Sequence, residues 1–146
     1  MTHASASTIK ARHVQYLLAF IFLGLGGWCL VAPAQVESLG LRPEFQHNSM
    51  TSALLIGCFG AQAVLAGTLI ATTIFPARAF LIFGLIGSVP FFVFNYYFYF
   101  SLRMFTDWML LDFVGNAGIL ACGIAGYTLK RREDRLSAQP SASGAV

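Results

Sequence analysis

The sequence predicts an all-α membrane protein, an antiparallel bundle of four transmembrane helices. Three observations carry that prediction. The 146 residues include only nine basic and six acidic side chains, 10% charged, against about 25% in a soluble domain. Hydrophobic residues make up 57%, more apolar surface than so short a chain hides from water by folding alone. The charges are also segregated: residues 13–36, 45–77, 79–102 and 113–129 hold no Asp, Glu, Lys or Arg. This pattern argues against a cytosolic globular enzyme, a disordered chain and a nucleic-acid binder. The bilayer itself is the first partner it implies.

Crossing the hydrocarbon as a helix takes about 20 apolar residues. Four stretches qualify: Val14–Val31, Thr51–Ile74, Ala79–Tyr99 and Trp108–Leu129. They are continuous runs and lack the period-two alternation of a membrane β-barrel, and a helix satisfies its own backbone in lipid. The turn Phe75-Pro76-Ala77-Arg78 is short, because Pro76 stops the second helix and Arg78 marks the water boundary. Phe100–Asp107 makes the other short turn, where Thr106 or Asp107 is suited to cap the fourth helix. Loop one, Ala32–Met50, mixes Val36, Leu39, Leu41 and Phe45 with Glu37, Arg42 and Glu44, the composition of a short interfacial helix. Residues 1–13 read as a cytoplasmic tail and 130–146 as a basic, disordered one.

Lys and Arg counts near the spans set orientation. Lys10, Arg12, Arg78, Lys130, Arg131, Arg132 and Arg135 fall on one side, and only Arg42 and Arg103 on the other. Both termini are therefore expected in the cytoplasm, in a bacterial-type inner membrane. One rival reads the first span as a cleaved signal peptide, since Ala32-Pro33-Ala34 has the A-x-A pattern, although Pro33 sits badly for cleavage.

Chemistry-bearing residues are few. Asp112 lies about 7 Å along the fourth helix from Asp107, and an acid within a span is a functional candidate by default. It reads either as an interfacial carboxylate beside Arg103, favoured there by the helix N-terminus, or as a proton or cation site. Asn116 is one turn away on the same face. Asn95 sits in an aromatic stretch from Phe91 to Phe100, in which Tyr96 and Tyr97 read as an interface belt or as a stacking surface for a flat lipophilic ligand. The candidate ligand-binding set is Asp112, Asn116, Asn95, Tyr96, Tyr97 and Arg103. Pro90 should kink the third helix and free the carbonyl near Ile86 for Ser88, Asn95 or a neighbouring helix. Gln62, mid-span, is expected to bridge helices.

Glu37, Glu44 and His47 lack metal-site spacing and read as solvated loop residues. Cys29, Cys58 and Cys122 form no CxxC and read as inert apolar thiols. No GxSxG, HExxH or phosphate loop occurs. We therefore expect no catalytic residue, no metal and no cofactor. Small residues four apart, Gly57/Ala61, Ala63/Gly67/Ala71 and Gly118/Cys122/Gly126, predict close helix contacts within the chain, with a second copy or with another membrane protein.

The Gly-rich first helix ending Leu30-Val31-Ala32-Pro33, the Leu39-Gly40-Leu41 loop and the second helix with Gly60 and Gln62 resemble the small four-helix bacterial membrane proteins of the broad DoxX-like kind. The likeness covers the first half of the chain. It implies a fold and a membrane location but no reaction. On the residues alone, the leading expectation is a non-enzymatic accessory or packing subunit. A binder or carrier of a small lipophilic or protonatable ligand is the alternative. An exterior lipid-headgroup enzyme using Glu44, His47 and Asp112 ranks last.

Overall fold

The computed structural model describes residues 9–138. The tails proposed for residues 1–8 and 139–146 lie outside them. The described chain is all-α, with the helices α1 (Ala11–Val31), α2 (Pro33–Gly40), α3 (Met50–Thr72), α4 (Ala77–Ile86), α5 (Val89–Tyr96) and α6 (Met109–Ser137). Four apolar stretches are long enough to cross a membrane: α1, α3, the combined Ala77–Ser101 segment and α6. Loop one holds the short helix α2, and α4 and α5 together make the third span.

α3 packs on α1, α1 on α6, and α6 on α4 and α5. Glycine decides how near these helices come. A Cβ on Gly84 would stand 2.8 Å from the Gly123 Cα, and one on Gly123 would stand 2.6 Å from the Gly84 Cα, so α4 and α6 touch backbone to backbone. At Gly126 the missing side chain makes room for the Phe80 ring, which is 1% exposed and packs edge-on to Phe75 at 5.4 Å. The seam of α3 against α1 uses Gly60 and Gly67. By contrast, Gly57 meets nothing within 4 Å and Ala61 is exposed, so that pair faces away from the bundle. The buried apolar core gathers Leu18, Ile70, Phe75, Phe80 and Ile119, toward the end where α1 begins.

Four expectations change. α6 continues as helix through Ser137, eight residues past Leu129, so Lys130–Ser137 is not an unstructured tail. A Lys130–Asp134 pair at 2.9 Å spans one turn of that extension, and such i,i+4 pairs support an exposed helix. The third span breaks at Gly87–Ser88, and the carbonyl that Ser88 takes belongs to Gly84 (Oγ to O, 2.5 Å), not Ile86. Proline disfavours helical backbone just before it, so the break falls ahead of Pro90, which sits in the first turn of α5. Thr106 and Asp107 cap α6 with their backbones: Met109 N donates to Thr106 O at 3.0 Å and Leu110 N to Asp107 O at 3.1 Å. Their side chains point elsewhere, the Thr106 hydroxyl to Leu39 O and the Asp107 carboxylate accepting from Tyr99 at 2.8 Å. Gln62 is exposed on the outside of α3 and bridges no helices. Cys58 is exposed too, one turn away.

Candidate functional site

The third span ends in a π-helical turn, Tyr97–Ser101, closed by Leu102 N donating to Tyr97 O at 3.0 Å. Arg103 follows in left-handed backbone, φ 51°. The chain then reverses into α6. This reversal sets α5 against the first turns of α6, and three polar side chains meet there.

The Asp112 carboxylate lies in the first turn of α6. Its Oδ2 accepts from Asn95 Nδ2 at 2.7 Å and from Asn116 Nδ2 at 2.8 Å. Asn116 also donates to the Asp112 backbone carbonyl at 2.8 Å, as its one-turn spacing allows. Asn95 and Asn116 are 3% and 4% exposed, while Asp112 is half-buried. Asn95 Oδ1 is the one buried side-chain oxygen or nitrogen among the described residues with no hydrogen-bond partner. Rotating the amide would not relieve it, because the oxygen would then face the carboxylate. The cluster therefore has more acceptors than donors. A buried polar atom left unpaired costs about 1–3 kcal/mol, so this one calls for an explanation. Aromatic residues neighbour the cluster in sequence, and Phe92 packs against Phe113 at 5.0 Å where α5 meets α6.

The other predicted site residues stand apart. Tyr96 and Tyr97 are 62% and 50% exposed and pack on Phe100 and Phe98, not on Asp112. Arg103 is exposed and forms no ion pair with Asp112; its role is in the turn. Among the described residues the Lys130–Asp134 contact is the only ion pair. No hydrogen bond links Glu44 or His47 to Asp112, and both are exposed.

Loop one roofs this end of the bundle. Arg42 N donates to Met104 O at 2.9 Å, Arg42 Nε to Phe105 O at 3.1 Å, and Thr106 N to Gly40 O at 3.0 Å. Leu41 and Phe105 form an isolated antiparallel bridge. Glu37, expected to be solvated, is instead the buried anchor of the loop at 2% exposure. It accepts from Ser52 Oγ at 2.6 Å, His47 N at 2.7 Å and Asn48 N at 3.0 Å. The sequence offered one faint signal, the Ser49/Ser52 pair that opens α3 and brings a hydroxyl to the carboxylate.

These donors, the Ser52 hydroxyl first, hold the Glu37 carboxyl below its ordinary range. A depressed value means stabilisation that is complete above the unfolded-state pKa, about 4.3, and is lost as pH falls through the lower folded value. Loop one should therefore stay docked at neutral pH and loosen in acid. Hydrogen exchange at the His47 and Asn48 amides reads this directly. Their protection should be lost only as the pH falls below the ordinary carboxylate range in the wild type and be missing even at pH 7 in Glu37→Leu. Unchanged protection in the variant would dismiss the anchor.

No family model, curated protein or solved structure matches this chain.

Proposed function

We propose that this multi-pass membrane protein binds a small lipophilic amine in its protonated form, at the Asn95–Asp112–Asn116 cluster. The observation that carries the reading is the unpaired Asn95 Oδ1 beside a carboxylate already fed by two amides. An ammonium group supplies what the cluster lacks, N–H donors and a positive charge. The first turn of α6 puts the cluster at one end of a span, where an amphiphile can keep its head near water and rest its body on Phe92 and Phe113. Asp112 takes the charge, and Asn95 and Asn116 orient it.

A packing subunit is the second reading, and its support was the scarcity of polar residues in the spans together with the small-residue seams. Two of those seams have neighbours inside one copy, Gly67 against α1 and Gly126 against Phe80 of α4, while Gly57 and Ala61 face away from the bundle. The proposal keeps both termini in the cytoplasm of a bacterial-type inner membrane, on the seven-to-two distribution of Lys and Arg. That places the cluster and loop one on the exterior side. The DoxX-like resemblance is compatible with this arrangement and adds no ligand.

The test is equilibrium binding of monodansylcadaverine, a fluorescent primary amine, to the full chain in mild detergent. Asp112→Asn should weaken binding by about ten- to a hundredfold, the worth of a charge-assisted contact. Asn95→Leu should weaken it less, since it removes one orienting group. Equal binding by wild type and a normally folded Asp112→Asn would end the proposal.

A further inference from the structure

The opposite end of the molecule carries a second feature, independent of Asp112. The helical extension of α6 beyond Leu129 stands beside the start of α4, and the two enclose an open cleft of about 450 Å³. Arg78 from α4 and Arg131 and Arg135 from α6 line it, with Tyr127 and Asp134. Arg131 and Arg135 are one turn apart, so both guanidinium groups fall on one face. Arg131 lies over the Tyr127 ring, 5.6 Å to its centroid, and donates to its hydroxyl at 3.0 Å, which orders that guanidinium. The one acid in the cleft is already engaged: Asp134 pairs with Lys130 at 2.9 Å. Among the described residues, none of the three arginines has a carboxylate partner. The cleft is thus an uncompensated cationic concavity at the level where the spans meet water.

We propose that this cleft binds the phosphodiester headgroup of an anionic phospholipid. Guanidinium groups match phosphate oxygens with paired N–H donors. The setting favours a lipid over a free anion. Ile82, one helical turn past Arg78 on α4, is 54% exposed, so the surface next to Arg78 is apolar and suited to acyl chains. A lipid held in the bilayer also meets the arginines at high local concentration. The extension of α6 then has a purpose beyond topology: it carries two arginines over the headgroup layer in fixed register with Arg78.

The experiment is thermal melting of the full chain in dodecyl maltoside, titrated with phosphatidylglycerol, phosphatidylcholine or inorganic phosphate. Phosphatidylglycerol should raise the midpoint saturably and phosphatidylcholine should not. The triple variant Arg78→Gln, Arg131→Gln, Arg135→Gln should need at least about tenfold more phosphatidylglycerol for the same shift. A control pair, Arg42→Gln with Arg103→Gln at the other end, should titrate as wild type. If the triple variant folds poorly, the Arg→Lys triple keeps the charge and should still lose affinity, because paired donation is gone. Three results would each overturn the proposal: an equal shift from phosphatidylcholine, a phosphate titration that saturates the site and abolishes the lipid effect, or a control pair that loses as much affinity as the triple variant.

Discussion

Replacing Gly60 with valine should cost about 3 kcal/mol or more and lower the thermal midpoint by about 10 °C. A Cβ at this position would stand 2.5 Å from the Leu30 nitrogen, 2.6 Å from the Gly26 oxygen and 2.9 Å from the Cys29 carbonyl carbon. All three are backbone atoms of α1, so no side chain can swing aside. α3 would have to move off α1 as a body. Helix association in lipid rests on close van der Waals contact, since tails are as apolar as the side chains they compete with. Opening the seam therefore forfeits its whole attraction, and Gly26 and Gly67 lose contact along with Gly60. Gly24→Val is the control, since nothing lies within 4 Å of a Cβ there. It should melt within about 1 kcal/mol of wild type. The readout is the loss of near-ultraviolet dichroism on heating in mild detergent. A Gly60→Val protein that melts with the wild type would mean that α1 and α3 do not meet at this seam.

Gln15→Leu should destabilise by about 1–3 kcal/mol, although it replaces a polar residue with an apolar one inside a membrane bundle. The last carbonyls of a helix have no partner of their own. At the end of α3 they are served by α1. Gln15, 2% exposed, donates to Ile70 O at 2.5 Å and to Thr73 O at 2.8 Å. Arg12 donates to Thr73 O at 2.5 Å and to Ala71 O at 3.1 Å. Leucine would leave the Ile70 carbonyl buried without a donor, while Arg12 would still hold Thr73. Gln15→Glu should be worse than Gln15→Leu at pH 8, because an ionised carboxylate would face two carbonyl oxygens. It should recover partly in acid, where the protonated group regains one donor. Were Gln15→Leu as stable as the wild type, the side-chain cap on α3 would contribute nothing.

The same pair of residues shows where sequence reading stops. Arg12 was legible as a charge at the membrane edge, whereas Gln15, inside the first span, carried no expectation of its own. Their joint task depends on the end of α3, 58 residues away from Gln15 along the chain, and nothing local encodes it. Asp112 and Asn116 were legible as neighbours because one helical turn joins them. Asn95 was in the same candidate set, but its bond to the Asp112 carboxylate depends on the reversal at Arg103 that sets α5 on α6. Tyr96 and Tyr97 share its stretch of sequence, yet the turn of the helix sends them outward. Gln62 was misplaced for a related reason. α3 is apolar on every side, so periodicity does not say which face turns inward. Glu37 was misjudged because a loop acid is usually solvated, and only the returning backbone of His47 and Asn48 makes it an anchor.

The sequence by itself determined the class and the number of apolar stretches long enough to span, but not where each helix ends. Those depend on a one-dimensional quantity, the length of apolar chain between charges measured against the thickness of a bilayer. Tertiary structure decided which polar groups pair, which glycines carry a seam and which faces meet lipid. Those outcomes depend on distances between segments remote in sequence, and a hydrogen bond or a backbone contact forms only when such segments meet at the right distance and angle.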